Sequence, residues 1–301
     1  LQNIEKEIQN FIKELDFSPA QEIFTHIKMG KMLRSKLILN IARLKVPSES
    51  TLKQIHKLCA IIELIHLASL LHDDVIDESK LRRGAKSINA EFGAKNAIML
   101  GDILYSKAFY ELSFFDKELI KCVSNAVLNL SKGEMLDINL SVSLNLDKEK
   151  YLQMLYLKTA ALIEASSFCS AFLIGLDTND FKEYGKSLGI AFQLIDDILD
   201  IISDEKTLGK PAMSDFKEGK TTLPYILMAQ KNKENEEKLK TLFKKELVSK
   251  TQNELKKELK PFVDESLNLA KTYAQKALKA VEKYKSKELE EVILAMLDRK
   301  F

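Results

Sequence analysis

Glycine and proline are scarce in this chain, 10 and 5 residues out of 301, so little interrupts long helices. A surplus of one charge is also missing. The formal net charge of +2 is too small to mark nucleic acid as the main partner. Cysteine is limited to Cys59, Cys122 and Cys169. Each sits in an apolar helical context without metal-ligand spacing and reads as a reduced core residue of a cytoplasmic protein. The longest apolar run, residues 58 to 71, holds Glu63 and His66 and is too short to span a bilayer. The first residues, LQNIEKEIQNFIKEL, are amphipathic and contain acids, where a signal peptide has a charged start and an apolar stretch. A soluble chain without a transmembrane segment is expected.

What the chain does have is helical periodicity, on a balance of 46% apolar and 30% charged residues that suits a globular protein with a real core. Ile4, Ile8, Phe11, Ile12 and Leu15 fall on one stripe of a helix over residues 2 to 15. Further helices are predicted over 32 to 45 (stopped by Pro47), 51 to 79, 96 to 114, 118 to 143, 148 to 175 (stopped by Gly175), 180 to 203, from near Leu223, 264 to 284 and 286 to 299. A basic loop spans Lys80 to Gly84, and TLGKPAMSDFKEGKTTLP reads as a loop. The Lys- and Glu-rich interval 231 to 260 reads as a solvated helical face. No segment alternates cleanly as a strand.

Two copies of one acidic pattern stand out: Asp73-Asp74-Val75-Ile76-Asp77 and Asp196-Asp197-Ile198-Leu199-Asp200. Each closes an apolar run, and in a helix the three carboxylates of D-D-x-x-D fall within an arc of about 100°. Like charges on one face repel, and near a helix C-terminus they also face the negative dipole end. Stability alone disfavours that arrangement; a bound divalent cation reverses the sign. Magnesium takes one or two carboxylates together with substrate phosphates and waters, so Mg2+ is the cofactor expected at all six aspartates. Basic residues stand close by in sequence: Lys31 and Arg34, Arg82 and Arg83 in the loop after the first motif, and Lys210 and Lys220 after the second. Arg forks and Lys point charges both suit phosphate oxygens, and two basic groups suggest two diphosphate sites. A large single-domain all-α bundle over 1 to 301, with both acidic faces at the mouth of a central cavity, is the simplest architecture.

The chain resembles the trans-isoprenyl diphosphate synthases, the polyprenyl synthase family. The matching features are Gly30-Lys31-x-x-Arg34, DDVIDESKLRRG, Gly101-Asp102, Gly133-Glu134, Lys158-Thr159, Gln193 with DDILD, Gly209-Lys210-Pro211, Asp215, Gly219-Lys220-Thr221 and Leu223-Pro224. The resemblance implies an all-helical homodimer in the cytoplasm that joins isopentenyl diphosphate to an allylic diphosphate such as farnesyl diphosphate. It implies that the six aspartates hold magnesium and the allylic diphosphate, with Arg82, Lys158 and Lys210, and Lys220 beside them, on that same diphosphate. Lys31, Arg34, His66 and Arg83 take isopentenyl diphosphate, while Thr159 and Gln193 lie near the developing cation. Without the resemblance, His66 reads as a core histidine and Lys158-Thr159 carries no signal. Two positions depart from the family pattern: Met32 stands where an Arg is usual, removing a peripheral charge, and Asp137 ends a Gly-Glu-x-x-Gln pattern.

Three function classes compete. A terpene cyclase usually replaces the second D-D-x-x-D and lacks the basic isopentenyl pocket, and a non-catalytic synthase subunit tends to lose acidic residues; this chain keeps all of them. Among synthases, product length is read at Ala68 and Ser69, one helical turn deeper than Asp73. Short-chain makers usually carry an aromatic there. Small residues leave the shaft open, which predicts a medium-to-long, octaprenyl-like all-trans product for quinone side chains, with geranylgeranyl or farnesyl diphosphate as the alternative. Phe109, Tyr110 and Phe114 are candidates for a deeper floor, although each alone reads as a core aromatic. Membrane contact during product release carries no mark in the sequence. Ala68→Phe is expected to shift the product distribution to shorter chains, read by chromatography of the dephosphorylated product; an unchanged distribution refutes the shaft.

Overall fold

The structure is a computed structural model that describes residues 1–203 and 213–297. It is all-α, as the periodicity predicts. The chain falls into two compact units, one of residues 1–128 with 165–182 and the other of 129–164 with 183–301.

In the first unit α1 (Gln2–Lys13), α2 (Ser18–Thr25) and α3 (Leu33–Ala42) precede the long α4 (Glu49–Ile76). Ser48 caps α4 by accepting from the Thr51 amide at 3.1 Å, and Glu49 complements the positive end of its dipole. The middle of α4 is apolar all round, so it forms the centre of the unit. Ile61, Ile62, Leu64 and Ile65 are sealed from solvent, and α1 and α3 pack on the helix. The other large contact of α4 is α6 (Ala94–Leu112). Leu100, Leu104, Ala108 and Leu112 form the buried stripe of α6, and Gly101 leaves room for the His72 ring that a Cβ would strike. Between them lie strands β1 (Leu81–Arg82) and β2 (Ala85–Lys86) and the short α5 (Ile88–Phe92); α7 (Lys117–Leu140) begins in this unit.

The second unit holds the end of α7, α8 (Lys148–Leu155), a π-helical turn (Tyr156–Ala160), the start of α9 (Ala161–Leu173) and most of α10 (Thr178–Ile202). Next come α11 (Ser214–Lys217), α12 (Leu223–Lys231), α13 (Lys233–Leu242), α14 (Ser249–Val281) and α15 (Lys287–Leu297). One core cluster gathers Ile198, Ile201, Phe216, Tyr225 and Leu259; another gathers Tyr151, Leu155, Ile190, Leu194 and Ile226. Two glycines set close approaches: a Cβ at Gly133 would collide with the Lys158 backbone, and one at Gly189 with Ala160.

Several expectations are corrected. The supposed basic loop after the first motif is a hairpin. Lys31 precedes α3, which carries Arg34 in its first turn. The interval 231 to 260 is not one face but α13 and the first part of α14, and α14 runs through Pro261 without the break expected before 264. Proline removes an amide donor and crowds the preceding turn. A buried stripe of Leu255, Leu259, Val263, Ala270, Ala274, Ala277 and Val281 continues across it and outweighs that cost. Tyr110 and Phe114 are 60% and 67% exposed, so within their unit they are neither core aromatics nor an enclosed floor. All three cysteines are free; Cys59 and Cys169 are buried and Cys122 partly exposed.

An ion cluster centred on buried Lys107 ties the end of α1 to α6. Lys107 donates to Glu111 and to Glu14, both at 2.6 Å. Burial alone would lower the ammonium's proton affinity, yet these two carboxylates leave it raised. Lys107→Met would leave buried Glu111 with only the more distant Lys57, at 3.8 Å, and is expected to cost about 2 kcal/mol, measured by urea unfolding.

Candidate active site

In the first unit, α4 delivers its acidic motif at its C-terminal end. Asp73 is half-buried, Asp74 buried, and Asp77, the C-cap, exposed. The hairpin folds back on this end. Its two-residue loop places Arg83 at φ 55° and Gly84 at φ 71°, the left-handed pair that a tight right-twisted hairpin requires. Asn89 Nδ2 donates to the carbonyls of Asp74 and Ser79 at 2.9 and 3.1 Å, and Ser87 Oγ donates to Ser79 at 2.6 Å. So held, Arg82 Nε donates to Asp74 Oδ1 at 2.9 Å, and its Nη2 reaches the same oxygen. Burial works against the Arg82 charge, but the bond to Asp74 and the charges of Asp74, Asp73 and Asp77 more than offset it.

Arg34, Arg83 and His66 lie close to one another in this unit. Arg83 donates to the Lys28 carbonyl at 2.6 Å, and its guanidinium lies where a Cβ on Gly30 would be. Burial lowers the proton affinity of Arg34, Glu63 opposes that shift and Arg83 adds to it; Arg34 Nε has no hydrogen-bond partner. Glu63, missed in the sequence, accepts from Ser35 N and Oγ at 3.2 and 2.8 Å. His66 is driven well below its usual range by burial, then by Arg34, Arg83 and Arg82, and is a neutral imidazole. Lys31 is exposed. Met32 is 4% exposed and left-handed at φ 48°, so the position is buried and not the peripheral one expected. Ala68 is sealed, and Ser69 Oγ donates to the His66 carbonyl at 2.9 Å.

In the second unit the motif again lies in the last turns of its helix, α10. Asp197 is 5% exposed. It accepts from Tyr151 Oη at 2.5 Å and from Gln193 Nε2 at 2.8 Å. Thr159 donates to Gln193 Oε1 at 3.0 Å. Thr159, Gln193 and Asp197 thus form one chain of bonds closed by Tyr151. Nothing in the sequence separates Tyr151 from a core aromatic. Asp200 accepts from Ser214 Oγ at 2.9 Å and the Asp215 amide at 3.2 Å. Burial pushes the Asp197 carboxyl up to about 8; Asp215 and Asp196 add to the push, while Tyr151 and Gln193 oppose it. The π turn presents Lys158, which meets Asp137 at 2.6 Å and Glu134 at 2.8 Å. A cavity of about 150 Å³ is lined by Asp137, Lys158, Thr159, Gln193, Asp197, Asp215 and Lys220, among others. Lys220 meets Glu218 at 2.9 Å. Lys210 lies outside the described residues.

Residues 18–260 match the polyprenyl synthetase family. The chain belongs to that family. As a polyprenyl synthetase it is similar, at 44% identity and a TM-score of 0.94, to an octaprenyl pyrophosphate synthase from Helicobacter pylori; the match covers 99% of this chain and 98% of that one. A polyprenyl synthase from Caulobacter crescentus, complexed with calcium and isoprenyl diphosphate, is 31% identical with a TM-score of 0.87, over 98% of this chain and 92% of that one. The geranylgeranyl diphosphate synthase of Sulfolobus acidocaldarius is 35% identical over 246 residues, 76% of this chain and 73% of that protein. Several curated relatives are matched over less than two thirds of their own length, down to 54%.

Whether this polyprenyl synthetase suits a divalent metal is testable on its own donors. Among the described residues no three Asp, Glu, His or Cys side chains form a ready-made ligand set. Magnesium does not need one, since it keeps waters and shares phosphate oxygens. The motif donors are carboxylate oxygens, which is the chemistry it prefers. Among the described residues Ser203 Oγ, Thr222 Oγ1 and Tyr225 Oη are buried without hydrogen-bond partners, and the charges of Asp200 and Asp215 act on Tyr225. Such orphaned hydroxyls suit waters held by an ion. The residues fit the metal. Without it, the raised Asp197 makes a stabilising contribution that is full below the unfolded value near 3.8 and is lost as pH rises through about 8. Melting temperatures measured in chelator are therefore expected to fall across that window, and Asp197→Asn to flatten the fall.

Proposed function

We propose that this chain is a magnesium-dependent trans-polyprenyl diphosphate synthase that condenses isopentenyl diphosphate with an allylic diphosphate such as farnesyl diphosphate. The observation that carries the reading is the survival of all six motif aspartates in a member of the polyprenyl synthetase family. The calcium and isoprenyl diphosphate in the Caulobacter relative support a divalent ion.

In this reading Asp73, Asp74, Asp77, Asp196, Asp197 and Asp200 hold magnesium and the allylic diphosphate. Asp74 acts with Arg82, to which it is already bonded. Arg82, Lys158 and Lys220, with Lys210, hold the diphosphate oxygens. Lys31, Arg34, His66 and Arg83 hold isopentenyl diphosphate. The orphaned Arg34 Nε gains an acceptor there, and neutral His66 donates without adding charge. Bound magnesium supplies neutralisation of the charge that collects on the leaving diphosphate. The allylic carbon–oxygen bond breaks and its electron pair leaves with the diphosphate. The Thr159 hydroxyl and the Gln193 amide, locked to each other and to Asp197, present oxygen dipoles to the allylic cation. The isopentenyl double bond attacks, and the released diphosphate takes the proton.

The two units are read as one catalytic domain spanning 1–301, in a cytoplasmic homodimer. Exposed Ile98, Met99 and Tyr110 on α6 support an apolar dimer face. No helix among the described residues is long and apolar enough to cross a membrane; passing contact with a bilayer during product release belongs to the same reading. The product is read as octaprenyl-like, supported by small, sealed Ala68 and by the full-length likeness to the Helicobacter synthase. The Sulfolobus relative favours a second reading, geranylgeranyl diphosphate. Incubation with radiolabelled isopentenyl diphosphate, farnesyl diphosphate and magnesium is expected to give a linear product of octaprenyl length on chromatography after dephosphorylation. A twenty-carbon stop selects the second reading; a cyclic hydrocarbon or no turnover overturns both.

A further inference from the structure

We propose that Asp137 restrains the charge of Lys158, so that this lysine engages a diphosphate only when a divalent cation accompanies it. The inference rests on reading the second-unit cavity as an allylic diphosphate site.

Glu134 and Asp137 stand three residues apart on α7 and are therefore neighbours on its surface. Both meet one ammonium, at 2.8 and 2.6 Å. Asp137 is 6% exposed, so water screens this pairing poorly. The position of the lysine is fixed from behind: the π turn carries it, and Gly133, lacking a Cβ, lets α7 lie directly on the Lys158 backbone. An ammonium has three donors, and two of them point at carboxylates. Lys158 with Glu134 and Asp137 carries a local formal charge of −1, beside a cavity that Asp215 and Lys220 also line.

A bare diphosphate entering this cavity has to draw Lys158 from a buried carboxylate and then lies against that carboxylate's charge. A cation that arrives with the diphosphate removes the repulsion. An amide at 137 keeps an acceptor for Lys158 and deletes the charge. Asp137 touches neither reacting carbon in this account; it is a positioning residue that acts through Lys158.

The test is calorimetry with inorganic pyrophosphate, with and without magnesium. Asp137→Asn and Asp137→Gln are expected to bind metal-free pyrophosphate about tenfold more tightly than wild type, whereas Asp137→Glu, which keeps the charge, stays near wild type. Adding Lys158→Met to either amide variant is expected to erase the gain. In turnover, KM for the allylic diphosphate falls while KM for isopentenyl diphosphate holds. Metal-free affinity that is unchanged or weaker in folded amide variants overturns the proposal. If those variants do not fold, Lys158→Met alone decides. Its pyrophosphate affinity is expected to drop by about tenfold with magnesium and by less than about twofold without it; an equal drop in both overturns the proposal. Because calorimetry does not require turnover, its failure is distinct from failure of the synthase reading, which the wild-type elongation assay decides.

Discussion

Carboxylate charge concentrated at the C-terminal ends of two long helices is the constraint around which the candidate site is organised. Each D-D-x-x-D sets like charges beside one another at the negative end of a dipole. The fold compensates only in part, and differently in each unit. After α4 a hairpin swings one arginine onto the middle aspartate. At the end of α10 a tyrosine, a glutamine, a serine and a backbone amide donate to Asp197 and Asp200. Burial, with Asp215 and Asp196 nearby, still leaves the Asp197 carboxyl raised. A bound divalent ion would favour its carboxylate form.

Organisation around the motifs follows the same division. In the first unit guanidinium groups dominate, with Arg34, Arg82 and Arg83 close enough to depress the histidine among them. In the second, lysines are already engaged by carboxylates, Lys158 by Glu134 and Asp137 and Lys220 by Glu218. The first setting suits direct capture of an anion. The second suits an anion that brings its own cations.

Much of this was legible in the sequence, for identifiable reasons. The α1 stripe of Ile4, Ile8, Phe11 and Ile12 is buried as its spacing predicts, and both acidic motifs end long helices. The hairpin was not legible because strands of two residues are too short to alternate. Asp74 and Arg82 meet across eight residues only because of that turn. Tyr151 and Glu63 were hidden because a polar group on an apolar face gives no sign of its partner. The start of α14 was placed too late because the Lys- and Glu-rich stretch before 264 hid the long buried stripe that runs from Leu255. Thr159, Gln193 and Lys158 came from likeness to a family; the π turn that presents Lys158 and Thr159 left no trace in periodicity.

That turn has a consequence for how such chains tolerate change in length. A π turn is an α-helix with one residue inserted. The widened turn absorbs that residue without turning the helix before it relative to the helix after, so deleting any one of Tyr156–Ala160 would restore regular winding and change which side chains the turn itself presents. Lys158 and Thr159 would leave Asp137 and Gln193 even though no remaining residue had changed identity. A chain that keeps Lys158 and Thr159 in place therefore has to keep the length of this segment as well.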